Sequence, residues 1–229
     1  MPAPLRIGVF GGTFNPIHVC HLRVAARAKE LVGLDRVVFV PAAHPPHKAD
    51  EKLVAARHRL EMTRLAIAGR PGFEVDDLEL RRPGPSYSVD TLDEFRRRHP
   101  AAELYFLVGV ETFLELSTWR EPHRLFAASR VVVIARAGRS FEALAGVPWI
   151  GETPRAVLAG FDATTGEAAL DLGPAARVVL VKIAPCDVSS TQVREDLAAG
   201  RAVKNLLPAP VHFYILEHRL YGARDAGAS

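Results

Sequence analysis

Two four-residue runs in this chain, Val37-Val38-Phe39-Val40 and Val131-Val132-Val133-Ile134, contain no polar side chain. A strand with one wet face alternates apolar and polar residues, so a strand with no polar position needs cover on both faces. That requirement selects a sheet sandwiched by helices. The strand candidates are Arg6 to Phe10, Arg36 to Val40, Phe73 to Val75, Leu104 to Val108, Arg130 to Ala135 and Arg177 to Ile183. Between and after them lie helix candidates: His18 to Leu31, Leu53 to Ala68, Ser88 to Arg98, Thr112 to Leu116, Thr191 to Ala199 and Ala209 to Tyr221. In the second of these, Leu53, Ala56, Leu60, Thr63 and Ile67 recur at helical spacing. Strands alternating with helices are the signature of crossover units, so the expected class is α/β, a doubly wound parallel sheet with helices on both faces.

The length, 229 residues, suits one large domain. We expect it over residues 1–223, with an irregular connector at about 137–176, rich in Gly, Pro and Ala, and a flexible tail at 224–229. There is no internal repeat. No apolar run reaches the length of a membrane span, and the first residues lack the apolar core of a secretion signal, so the expectation is a cytoplasmic protein with no membrane partner. A formal net charge of +3 is too mild to indicate nucleic-acid binding and fits a small anionic substrate. Two cysteines, Cys20 and Cys186, make neither a disulfide framework nor a zinc set, and reduced thiols are expected.

The first strand candidate runs into Gly11-Gly12-Thr13-Phe14-Asn15-Pro16-Ile17-His18-Val19-Cys20-His21 and then a helix. Strand, Gly-rich turn and helix make a phosphate-binding construction, because glycines admit a close anion and a helix N-terminus offers free N–H groups and a positive dipole end. Asn15 is a good N-cap and Pro16 suits N1, which would put His18 near N3 and His21 on the same face. Two imidazoles beside free N–H groups suit a triphosphate. Capping or core histidines are the structural alternative. Near the other end, Val188-Ser189-Ser190-Thr191-Gln192-Val193-Arg194 opens a second helix. Ser189 or Ser190 is the natural N-cap, and Arg194, one turn in, has the fork that bridges two phosphate oxygens. By itself this string reads as a capped helix with a surface arginine. Two such helix starts, one from each end of the chain, would grip one triphosphate at the carboxyl ends of the strands.

Three further segments carry usable chemistry. Pro41-Ala42-Ala43-His44-Pro45-Pro46-His47-Lys48 is a stiffened loop presenting His47 and Lys48. Ser86-Tyr87-Ser88 precedes a helix. Gly109-Val110-Glu111 and Thr118-Trp119-Arg120 follow the fourth strand, and an indole such as Trp119 is a platform for an aromatic ring. A solvated loop, a plain turn and a core tryptophan are the structural alternatives.

The first string resembles the T/S-x-x-H-x-G-H signature of the nucleotidyltransferase superfamily, with Cys20 in place of the usual glycine. Val188 to Arg194 is similar to its second signature, I/V-S-S-T-x-x-R. The fuller Gly-Gly-Thr-Phe-Asn-Pro-Ile-His string resembles the bacterial nicotinate-nucleotide adenylyltransferase branch. So do Pro-Pro-His-Lys at 45–48, the Arg-Arg-Pro-Gly-Pro-Ser-Tyr-Ser-Val-Asp-Thr-Leu segment at 81–92 and the Thr-Trp pair at 118–119. The resemblance spans Ile7 to about Tyr221, apart from the connector. It implies a Rossmann-like nucleotidyltransferase fold and adenylyl transfer from ATP to nicotinate mononucleotide by direct in-line attack.

The resemblance also implies roles. His18, His21 and Arg194 would be catalytic. ATP would meet Gly11, Gly12, Thr13, Phe14, His18, His21, Gly109, Glu111, Val188, Ser189, Ser190, Thr191 and Arg194. The mononucleotide would meet Lys48, Ser86, Tyr87, Ser88, Trp119 and Arg136. Position 88 usually carries Thr, so Ser88 keeps the hydroxyl; position 111 usually carries Asp, so Glu111 is a methylene longer. Mg²⁺ would ride on the ATP phosphates with no protein ligand set. Nucleic acid is not an expected partner, and a homo-oligomer is left open. Rival readings are a nicotinamide-mononucleotide or phosphopantetheine adenylyltransferase and a non-catalytic nucleotide sensor on the same fold.

Overall fold

The computed structural model describes residues 3–46, 53–135 and 139–223. In chain order these form β1 (Arg6–Gly12), α1 (Val19–Val32), β2 (Arg36–Pro41), α2 (Ala56–Ile67), β3 (Phe73–Val75), α3 (Leu78–Arg81), α4 (Ser88–Arg98) and β4 (Glu103–Gly109). After these come α5 (Val110–Leu114), α6 (Pro122–Ala128), β5 (Arg130–Ala135), α7 (Arg155–Ala163), β6 (Ala168–Asp171), β7 (Val178–Lys182), α8 (Ser190–Ala198) and α9 (Ala209–Glu217). The strands make one seven-stranded sheet in the order β3-β2-β1-β4-β5-β7-β6. β1 pairs with β4, β4 with β5 and β5 with β7, all parallel. The sheet is the α/β expectation realised, with one correction: β6 joins the edge antiparallel to β7.

The all-apolar runs are strands without a wet face. Val131, Val132 and Val133 of β5 and Val178, Leu180 and Val181 of β7 have no exposed surface. β6 lies inside the stretch expected to be irregular. Its four residues alternate between half-buried and exposed, too short and too wet to announce a strand.

By contacts the chain divides into two compact units. One comprises Met1–Gly11, Val24–Val38 and Tyr87–Cys186; the other comprises Gly12–Arg23, Phe39–Ser86 and Asp187–Ser229. The first unit contains the connector, whose residues 139–176 bond among themselves and join the sheet through β6. The Asp162 carboxylate accepts the N–H groups of Phe141 and Glu142 (2.9 and 3.0 Å), and Phe141 packs on Phe161. In the second unit α9 ends at Glu217, earlier than the expected Tyr221. A separate 3₁₀ turn at Leu220–Gly222 then carries Tyr221.

Neither cysteine is a free thiol. Cys20 and Cys186 are both in the disulfide-bonded state, which corrects the expectation of reduced side chains. Among the described residues no helix is long and apolar enough to cross a membrane.

Candidate active site

In the second unit, β1 gives way to the Gly-rich loop. A Cβ at Gly12 would lie 2.8 Å from Cε1 and Cζ of the Phe14 ring, so a side chain there would have to displace that ring. Phe14 itself turns the chain with a φ of 45° and is buried, its ring edge-on to His21 (centroids 5.1 Å, 88°). Asn15 joins Pro16 through a cis peptide bond and sits in a turn, not at a helix cap. The expected cap assignment is corrected accordingly. His18 occupies the position before α1: its carbonyl accepts the N–H of His21 (3.0 Å), and its own N–H donates to Nδ1 of His21 (3.2 Å). His21 is thus at N3, where Glu or Gln of a capping box would reach back to the same N–H.

This cap fixes chemistry as well as geometry. A backbone N–H can only donate, so Nδ1 of His21 is an acceptor and the neutral ring carries its hydrogen on Nε2. The two rings lie 3.7 Å apart, centroid to centroid, at 32°. His18 is 2 % exposed, whereas His21 is half-buried.

The second signature starts α8, and in the same unit it meets the first. Ser189 is the N-cap, its hydroxyl accepting the Gln192 N–H (3.1 Å). Ser190 Oγ donates to the Pro16 carbonyl (2.9 Å), and Arg194 Nη1 donates to the Asn15 carbonyl (2.9 Å), across separations of 174 and 179 residues. Arg194 Nη2 also reaches Thr191 Oγ1 at 3.4 Å. Of the expected ATP residues, Gly12, Thr13, Phe14, His18, His21, Val188, Ser189, Ser190, Thr191 and Arg194 belong to this unit.

Sequence reasoning missed two residues that build this cradle, Arg59 and Tyr221, and gave a third, Asn15, a helix-cap role instead. Arg59 on α2 is 1 % exposed and donates to the carbonyls of Thr13 (2.7 Å), Val54 (2.9 Å) and Ala43 (3.2 Å). Burial holds its pKa below the ordinary guanidinium value, with Tyr221 and Glu79 acting in the opposite direction. Asn15 Oδ1 accepts the Val54 N–H (3.3 Å) and the Tyr221 hydroxyl (2.9 Å). Burial pushes the Tyr221 phenol pKa up while the charges of Arg59 and Arg194 pull it down, leaving a protonated donor. A signal for Arg59 did exist: it lies three and seven residues before the buried Met62 and Ala66, on the apolar stripe of α2.

The mononucleotide residues fall differently. Ser86, at the edge of the second unit, uses its Oγ to accept the N–H groups of Ala43 and His44, both at 3.0 Å. Tyr87, Ser88, Gly109, Glu111 and Trp119 belong to the first unit, as does Gly11 at the end of β1. There the Arg120 guanidinium lies over the Tyr87 ring (4.7 Å), drawing segment 118–120 to segment 87–88. Trp119 is half-buried, edge-on to Phe106. Ser88 is the first residue of α4, where the helix is expected to begin, and Tyr87 is its cap position, without a side-chain cap bond. Gly109 precedes α5, and the Glu111 carboxylate pairs with Arg139. Lys48 and Arg136 lie outside the described residues.

Among the described residues no group of three or more His, Cys, Asp or Glu is placed to hold a metal ion. The cradle consists of donors, and a hard divalent cation takes oxygen ligands.

The cytidylyltransferase-like family model matches residues 9–196. A protein of Pelobacter propionicus named "probable nicotinate-nucleotide adenylyltransferase" is 41% identical, covering 95% of this chain and 98% of its own. A protein of the same name from Thermus thermophilus is also 41% identical, covering 95% of this chain and all of its own. The Plasmodium falciparum nicotinic acid mononucleotide adenylyltransferase complexed with NaAD has the same fold. It superposes with a TM-score of 0.70 at 18% identity, covering 96% of this chain and 98% of that one.

Proposed function

Given that the chain belongs to the nicotinate-nucleotide adenylyltransferase family, within the cytidylyltransferase-like group, we propose that it adenylylates nicotinate mononucleotide with ATP, yielding deamido-NAD and pyrophosphate in NAD biosynthesis. The observation that carries this reading is the junction of the two end signatures: Ser190 and Arg194 bond the carbonyls of Pro16 and Asn15, directly before the paired His18 and His21. Carbonyls at 15 and 16 would repel a phosphate, and both are engaged by donors.

The mononucleotide phosphate is largely ionised near neutral pH, its second pKa being about 6, and needs no general base. One of its oxygens forms a bond to the α-phosphorus of ATP. The bond from that phosphorus to the α–β bridging oxygen breaks in line, and its electron pair leaves on pyrophosphate. Catalysis is then positioning and charge stabilisation. His21 donates through Nε2 to the transferring phosphoryl group and His18 lies against it. Thr13, Ser190, Thr191 and Arg194 hold the triphosphate, Arg194 at its β/γ end. Lys48 and Arg136 take the mononucleotide phosphate, and Trp119 stacks on the pyridine ring beside Tyr87 and Ser88. Mg²⁺ bound to the ATP oxygens supplies charge neutralisation. We read residues 1–223 as one such domain, since the family model runs through segments of both units, working in the cytoplasm.

Pyrophosphate release with ATP and Mg²⁺ tests the reading. Strong preference for nicotinate over nicotinamide mononucleotide is the expected result. Equal use or amide preference overturns the acid-reading pocket, and no turnover with either overturns the activity.

A further inference from the structure

We propose, on the reading above that sets the pyridine ring on Trp119 beside Tyr87 and Ser88, that the Arg120 side chain pairs with the ring's carboxylate and sets the preference for acid over amide. Trp119 is extended (φ −79°, ψ 159°), so its side chain and that of Arg120 leave the backbone in different directions. The indole turns to Phe106 of β4 (centroids 6.3 Å) and the guanidinium to Tyr87, its carbon 4.7 Å from the ring centroid. All four residues belong to the first unit. A ring lying on Trp119 and bordered by Tyr87 would carry its substituent toward that guanidinium.

Arg120 is held in place without spending its donors. A cation over a phenol ring is attracted through its flat face, and the five N–H groups of a guanidinium lie in its plane. Two carboxylates are close by: Asp90 Oδ2 is 3.8 Å from Nη1, and Glu121 Oε2 is 3.6 Å from Nε. Both distances are too long for hydrogen bonds. The Glu121 carboxylate is committed elsewhere, each oxygen accepting from Arg124 Nη1 at 2.9 Å. The Arg120 side chain is 50 % exposed, and exposed ion pairs of this length contribute little. Among the described residues it donates no hydrogen bond. A bidentate, charge-assisted pair with a bound carboxylate is stronger than either of its long ion pairs.

Nicotinate and nicotinamide differ in one group of nearly equal size. The carboxylate offers a charge and two acceptor oxygens; the carboxamide offers one acceptor and an NH₂ that only donates. A single backbone N–H can serve an oxygen of either. A guanidinium fork cannot: its two parallel N–H groups pair with a carboxylate and meet the amide NH₂ donor to donor. Discrimination is strong where the wrong substrate leaves a donor of the site opposed or unpaired. Arg120 supplies that element.

The test is steady-state pyrophosphate release with each mononucleotide at saturating ATP and Mg²⁺, read as the ratio of kcat/KM for acid to that for amide. Where amide turnover is below detection, its Ki against the acid takes its place. Arg120→Gln presents one donor and one acceptor, the pattern that suits an amide. It should lower kcat/KM for the acid by about 10- to 100-fold, the range for hydrogen bonds to a charged group, and leave the amide within about threefold of wild type. Arg120→Lys keeps the charge and loses the fork, so its ratio should fall in between, and it carries the test if Arg120→Gln does not fold. A clamp that only holds Tyr87 would weaken both substrates by the same factor, so a ratio within about twofold of wild type in the variant tested overturns the inference. Wild-type preference for the acid with that ratio unmoved in the variant sinks only the role of Arg120. No wild-type preference sinks the acid-reading pocket, and no turnover with either mononucleotide sinks the activity; the role of Arg120 falls with each.

Discussion

Helices α1 and α8 start in the same unit, and Ser190 and Arg194 of α8 bond the loop just ahead of α1, yet different chemistry begins the two helices. α8 begins conventionally, with the Ser189 hydroxyl accepting the Gln192 N–H. α1 begins with two histidines, the second reaching back to the N–H of the first. A serine cap commits its hydroxyl to the helix. A histidine cap at N3 uses Nδ1 for the helix and leaves Nε2 for something else. The difference separates a helix start that presents backbone from one whose cap is itself the proposed catalytic group. Stability and activity should be separable at α8 and entangled at α1.

The most forceful break of that comparison is at His21. His21→Ala removes both the cap acceptor and the Nε2 donor. The expected fall in kcat is about 100- to 1000-fold, the range for removing one preorganised donor to a transition state, with a loss of stability of about 1 kcal/mol from the cap. His21→Gln sharpens the point, because glutamine at N3 restores the acceptor but not the imidazole. It should recover the urea midpoint and none of the rate. Near-wild-type kcat in the glutamine variant would reduce His21 to a cap. Next in size is Arg194→Lys, which keeps charge but loses the fork. Steady-state kinetics should show KM for ATP rising about 10- to 100-fold, as expected for hydrogen bonds to charged groups worth about 1.5–3 kcal/mol, with KM for the mononucleotide little changed. Equal changes in both KM values would remove Arg194 from the ATP side.

The same contrast explains what could be read from the amino-acid sequence. β5 lies where its apolar run places it, at Arg130–Ala135, β3 matches the expected Phe73–Val75, and the Ser189 cap is one of the two residues expected. These features are local, and local propensity decides them. α1 misled for a physical reason: Asn-Pro is a good cap signature, but His18 and His21 close the first turn themselves, so the helix starts at Val19. α6 went unseen because Glu121, before its first proline, takes a left-handed φ of 49° that no sequence rule favours for glutamate. The site was half legible. The strings that contain His18, His21 and Arg194 carry their chemistry in their composition. Arg59, Asn15 and Tyr221 act through contacts 46, 39 and 206 residues away in sequence, and although Arg59 lies on the apolar stripe of α2, no local pattern names their partners.

The smaller tests concern α8. Ser189→Ala removes a hydroxyl cap and nothing proposed to bear charge in the reaction. It should cost about 1 kcal/mol in urea unfolding and leave kcat within about threefold, a ratio that follows if less than 0.7 kcal/mol reaches the transition state. A larger fall in kcat would make Ser189 part of the reacting site and erase the contrast with His21. The last test is the far end of the same helix. Hydrogen bonds from Gln192 and Arg201 hold the Asp196 carboxyl below its ordinary 3.8. Because the folded pKa is depressed, the folded state binds fewer protons than the unfolded chain just below that value. The stabilisation is therefore complete above pH 3.8 and is lost as pH falls through the folded value. Asp196→Asn should narrow this dependence: its urea midpoint should lie below wild type at pH 6 and converge with it under pH 3.8. Activity at pH 6 should be unchanged, since neither Gln192 nor Arg201 has a proposed role in phosphate binding. A constant gap between the two proteins across the acid range would mean that the carboxyl's charge contributes nothing. The Gln192 and Arg201 contacts would then act through shape alone, and α8 would owe its stability to Ser189 and its buried face.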